Sequence, residues 1–287
     1  MVDLMHDTMP LDDLVATFVR LAGLPAKQPM PAAPRSNAKV MIFAPHPDDE
    51  CIIGALPLRL QREAGMSITV VPVTLGSKVE RREARRQELQ AACTELGFSI
   101  VEASKQPFAE VRPDTRQVQP IVWAGMADKL ATVIAQEKPT ILFLPHRQDG
   151  HGTHIGVHHL VLDALAKQPP DYAARLVFTE FWHPQREPNL MVESSPADLL
   201  QLLTALSRHA GEVARNPYHR RLPAWMIDNA RRGAELISGF GADGTSMGFA
   251  TLYEQAEWRT CRCFPYMGEV RFLPADHSAA AVISSSP

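Results

Sequence analysis

Residues 39–50 read KVMIFAPHPDDE: a lysine, an apolar run over 40–44, a proline, then His46, Asp48, Asp49 and Glu50 within five positions. A short apolar run closed by a proline has the pattern of a strand buried on both faces. The polar cluster after it is chemically unusual. Three carboxylates repel one another and, with the imidazole beside them, resist desolvation unless a cation sits among them. Outward along the chain, SITVVPVTL (67–75), PTILFLP (139–145) and ARLVFTEFW (174–182) repeat the strand pattern. Helical periodicity fills 49–64, 80–97, 121–137 and 155–167, with Pro57 expected to kink the first of these or to start a new helix. Strands alternating with helices predict an α/β fold, a Rossmann-like three-layer sandwich around a mostly parallel sheet.

The chain has 287 residues and is 45% hydrophobic, enough to bury a core without disulfide or metal support. Its formal charge of −3 argues against nucleic acid or an anionic membrane surface as partner. No apolar run reaches the roughly 20 residues a membrane span requires. The N-terminus is acidic and lacks a signal-peptide pattern, and Cys51, Cys93, Cys261 and Cys263 form no framework spacing. These features predict a reducing, cytoplasmic setting. Three regions are expected: a helical arm with a proline-rich connector over 1–37, one α/β domain over 38–273, and a flexible tail over 274–287. The arm is expected to dock on the domain or on a second subunit, leaving a homo-oligomer open.

Two strand ends carry the chemistry. HPDDE follows the first core strand, and PHRQDGHGTHIGVHHL (145–160), with five of the eleven histidines, follows another. Ligands of open α/β sheets bind outside the carboxyl ends of the strands. Imidazoles and carboxylates together suit zinc or another first-row divalent cation, and a catalytic zinc takes three protein ligands. His46, one of Asp48 and Asp49, and one histidine of the second cluster would supply them. Two histidines and a carboxylate also suit ferrous iron, so an oxygenase is a rival class, separable by activity without oxygen. GFGADG (239–244) comes after a helical stretch and not a strand, which excludes a dinucleotide fingerprint.

PHPDDE with the later DGHGTH resembles the PIG-L/LmbE-like de-N-acetylases, which remove acetyl groups from N-acetylglucosamine-containing compounds. The resemblance covers about 38–165, takes in TLGS (74–77) and RRQELQAACTELGF (85–98), and continues faintly at LSRHAGE (206–212). It implies His46, Asp49 and His154 as metal ligands for Zn2+, with Fe2+ or another divalent metal as alternatives. It also implies Asp48 as general base, His151 as the acid that stabilises the oxyanion, and Arg85 as a substrate contact. His158, four residues beyond His154, is a rival ligand. The second motif departs from the family's usual His-Pro-Asp-His: Gly152 and Thr153 stand where proline and aspartate are expected. Asp149 is the candidate to replace the missing carboxylate beside His151. The implied function is zinc-dependent deacetylation of an N-acetylated amino sugar or its conjugate, a small-molecule substrate. Amide hydrolysis on a larger acyl group or a non-sugar, and a non-catalytic binding protein, are the alternatives.

Overall fold

The computed structural model describes residues 9–23, 27–266 and 268–283. Its first half alternates as the sequence predicts. β1 (Lys39–Ala44) leads to α2 (Asp49–Ile52) and α3 (Leu56–Ala64), preceded by α1 (Leu11–Ala22). β2 (Ser67–Pro72), α4 (Arg82–Leu96) and β3 (Ser99–Ile100) come next, then α5 (Pro113–Val118), α6 (Pro120–Glu137), β4 (Ile141–Pro145), α7 (Gly152–Leu165) and β5 (Ala174–Thr179). Pro57 opens α3 and does not bend a longer helix; its ring fits the first turn, where no amide donor is needed.

β3, β2, β1, β4 and β5 lie side by side, all parallel. Both faces are covered, and strand residues alternate between them. Val40, Ile42, Val70, Phe143 and Val177 enter one core; Met41, Phe43, Val71, Leu142 and Leu176 enter the other. A strand wanted by both cores must be apolar at every position, which explains the unbroken runs in the sequence.

The second half adds β6 (Leu190–Glu193), α8 (Pro196–Ser207), α9 (Ala210–Arg215) and α10 (Tyr218–Ser238). β7 (Ala250–Arg259), β8 (Arg262–Pro265), β9 (Phe272–Leu273) and α11 (Ala280–Ile283) complete the described elements. β7 pairs antiparallel with β5, β6 and β8, so the sheet is parallel on one side and mixed on the other. α1 packs through Leu11, Leu14, Val15, Phe18 and Val19. Leu21, which the periodicity places on that face, is 72% exposed.

Residues 274–277, inside the stretch that the sequence marks as a tail, are held by a buried cation. Arg59 pairs with Glu63 and donates to the carbonyls of Glu193, Leu273, Pro274 and His277. Glu63 also accepts the Ala279 amide at 2.7 Å. No helix among the described residues is long and apolar enough to cross a membrane.

Candidate metal centre and its cleft

β1 and β4 are neighbours, and the chain leaves β1 for β2 on one side and β4 for β5 on the other. The strand order reverses at that point, opening a crevice above the two carboxyl ends. The two histidine-bearing segments therefore meet. Thr74, in the segment after β2, donates its hydroxyl to the Pro45 carbonyl at 2.7 Å and pins the turn.

His46, Asp49 and His154 each offer a ligand atom within 4.8 Å of the others. Asp49 Oδ2 lies 3.4 Å from His46 Nδ1 and 3.5 Å from His154 Nε2, and accepts the His46 amide at 2.8 Å. His154 is 1% exposed, and its Nε2 has no hydrogen-bond partner. A buried imidazole nitrogen left without a partner beside a carboxylate fits a divalent cation, and two nitrogens with one oxygen suit zinc-like metals. Burial works against charge on Asp49, but His154 and His46 outweigh it and hold the carboxyl below its usual range. Burial likewise opposes charge on His154, while Asp49 and Asp149 leave its pKa raised.

Asp48 stands outside this group. Its carboxylate lines the cleft, and its backbone adopts a left-handed φ of 116°. For a residue other than glycine that conformation costs about 1–3 kcal/mol and persists only where the surroundings enforce it. Burial, then the adjacent Asp49, pushes the Asp48 pKa well above the ordinary value, with Arg85 opposing. Arg85 reaches the same wall from α4, donating to the Pro47 carbonyl at 2.8 Å and standing 3.9 Å from Asp48. Gly76 makes room for it, since a Cβ there would collide with the guanidinium.

His151 caps α7 and faces His46 and His154, with ring centroids 5.2 and 5.0 Å away. Burial, then His154 and His46, lowers its pKa. Asp149 does not pair with the His151 ring. It is fully buried, sets Oδ1 3.2 Å from His154 Nδ1, and accepts the main-chain amides of His151 and Trp182. It therefore orients a candidate ligand and ties together the segments after β4 and β5. His158 is turned elsewhere: Nδ1 meets the Pro145 carbonyl at 2.8 Å, and burial lowers its pKa to about 4.

The cleft has a volume of about 340 Å³. Sequence reasoning misses much of its second wall. Phe181 packs edge-on against His154 at 4.7 Å, and Trp182 stacks on His151 at 6.0 Å. Glu212 and Arg215 of α9 and Tyr218 of α10 complete it. Phe181 and Trp182 face the cleft, and the next residue, His183, lies over Gly150. The faint LSRHAGE motif ends on Glu212 and is the one signal pointing to α9.

A mostly parallel sheet bearing a His–Asp–His group and a spare carboxylate at its carboxyl edge defines an α/β protein with a candidate metal centre. Residues 41–165, which contain His46, Asp48, Asp49, Arg85, His151 and His154, match the PIG-L family model, described as GlcNAc-PI de-N-acetylase. The match spans less than half of the chain; that segment is similar to the PIG-L family, whose described reaction is hydrolytic N-deacetylation. No curated protein matches the sequence. Among solved structures, the chain resembles GalB, the 4-carboxy-2-hydroxymuconate hydratase from Pseudomonas putida KT2440: TM-score 0.57, 17% identity, 81% of this chain and 98% of that one. It also resembles N,N'-diacetylchitobiose deacetylase from Pyrococcus horikoshii: TM-score 0.55, 15% identity, 87% and 94% covered. A zinc-inhibited form of a teicoplanin deacetylase gives TM-score 0.54 and 16% identity, covering 77% and 98%. At these identities the structures share the fold alone. The hydratase shows that the fold admits other chemistry, so reaction class rests on the family match.

Proposed function

We propose that the chain removes the acetyl group of an N-acetylated amino sugar or its conjugate, using a divalent cation, zinc first, held by His46, Asp49 and His154. The observation that supports this reading most is the division within the cleft. One aspartate is committed to two histidines, while its neighbour opens on the same space with a raised pKa. A cation held there supplies Lewis acidity and lowers the pKa of nearby water. Asp48 accepts the proton of the attacking water, since burial and Asp49 make it more basic than a free carboxylate. His151 in its charged form offsets negative charge on the tetrahedral intermediate and protonates the leaving amine. Burial and the neighbouring imidazoles oppose that charge, and Asp49 and Asp149 favour it.

The sugar reading draws on the second wall. Trp182, 53% exposed, and Tyr218 meet edge to face at 6.1 Å. Together they offer an apolar surface for a ring, while Ser77, Glu212 and Arg215 offer polar partners for hydroxyls. Two of the similar folds are deacetylases whose names carry diacetylchitobiose and teicoplanin.

The test is acetate release from N-acetylglucosamine, its oligosaccharides and its conjugates, by protein reconstituted anaerobically with zinc, iron or another divalent metal. Acetate that appears without oxygen and vanishes on chelation is the expected result. Release of a larger acyl acid from other amides, with none from the sugars, would replace the substrate class. No hydrolysis at full metal occupancy would overturn the reading.

A further inference from the structure

Of the three consecutive carboxylates, Asp48 and Asp49 face the cleft and Glu50 does not. Glu50 is 1% exposed, and its oxygens have separate partners. Oε2 accepts the main-chain N–H of Asp48 at 2.9 Å. Oε1 accepts from His209 Nε2 at 2.7 Å and from the Cys51 thiol at 3.3 Å. His209 and Cys51 are both fully buried. The His209 carbonyl in turn accepts the amides of Glu212 and Val213, opening α9. Glu212 then stands 3.8 Å from Arg85, which stands 3.9 Å from the Asp48 carboxylate. Asp48 is thus approached twice, at its main chain through Glu50 and at its side chain through Arg85.

We propose that His209, acting through Glu50, is a positioning residue for Asp48: the pair holds the left-handed main chain that turns the carboxylate into the cleft. Successive side chains on a regular helix diverge by about 100°, so Asp48 and Asp49 could not both face one cavity from unbroken helix. The left-handed torsion at Asp48 resolves this. A residue with a Cβ keeps such a torsion only under external constraint, and a main-chain amide bonded to a buried carboxylate is a strong one. His209 supplies the donor that lets that carboxylate stay buried. The inference rests on Asp48 being the base of the proposed deacetylation.

The experiment compares His209→Ala, which removes the donor, with His209→Gln, which retains an amide N–H. Crystal structures of both are solved, and kcat, KM and bound metal are measured on the metal-loaded proteins. In His209→Ala, Asp48 is expected to leave its left-handed conformation. There kcat should fall by about 10- to 100-fold, the scale of an ångström-sized misplacement, with KM and metal content unchanged. His209→Gln should restore most of both. If His209→Ala does not fold, the double variant Glu50→Leu/His209→Leu, which leaves no buried charge unpaired, takes its place. An unaltered Asp48 torsion, an unaltered kcat, or a kcat lost in step with bound metal would each overturn the proposal. Failure of the parent protein to hydrolyse any amide would remove the deacetylase reading instead. The Asp48 torsion in the two variants would still decide whether His209 positions it.

Discussion

Two side-chain clusters of nearly the same composition sit back to back in this fold. His46, Asp49 and His154 form one; Glu50, Cys51 and His209 form the other, with Glu50 one residue after Asp49. The first borders a cavity of about 340 Å³, and the His154 Nε2 that faces Asp49 makes no hydrogen bond. In the second, fully buried, Glu50 bonds both His209 and Cys51, and burial, then Glu50, pushes the thiol pKa well up. A thiol kept protonated is a poor metal ligand. Ligand-type residues in proximity therefore do not make a metal centre. What separates the two is whether the atoms that face one another are already hydrogen-bonded and whether a space adjoins them.

The comparison can be broken most decisively at the ligands. Asp49→Ala and His154→Ala should each weaken metal binding by well over about 100-fold, since groups that only orient a ligand are worth about 10- to 100-fold. Cys51→Ala should leave metal content unchanged, measured by elemental analysis after dialysis. Equal metal loss from Cys51→Ala would mean that the clusters had been assigned the wrong way round. Asp48→Asn comes next. It should lower kcat by about 10²- to 10⁴-fold, the usual worth of a positioned base, while metal stays bound. Metal loss in that variant would exchange the roles of Asp48 and Asp49. Asp149→Asn should cost about 10- to 100-fold in metal affinity, because its partner is the His154 ring. A kcat loss at unchanged affinity would return Asp149 to the service of His151.

The last effect concerns stability and leaves metal and turnover aside. His158 has a folded pKa of about 4 against an ordinary value of 6.5. The unfolded chain therefore binds the proton first as pH falls. The penalty is absent above about pH 6.5 and complete near pH 4, reaching about 3 kcal/mol at 1.36 kcal/mol per unit. Thermal melts of the parent should drop more steeply between pH 7 and pH 5 than those of His158→Gln. Parallel curves would show that His158 is not buried in its neutral form.

Much of this site is legible in the sequence because its ligand types lie at strand ends. The unbroken apolar runs identify the parallel strands, and HPDDE and DGHGTH name the donors that the sheet brings together. The mixed half of the sheet is not legible. β6 pairs antiparallel with β7 across a long interval, and no local period announces such a partner. Trp182, Glu212 and Arg215 escape for a related reason: they carry no strong motif of their own and reach the cleft only through the placement of β5 and α9. Sequence by itself determined the fold class and which ligand-type residues the strand ends carry, because side-chain period and ligand type are local properties. Tertiary structure decided which carboxylate faces which way. The directions of Asp48, Asp49 and Glu50 depend on backbone torsions at one turn, constrained by a histidine 159 residues from Glu50.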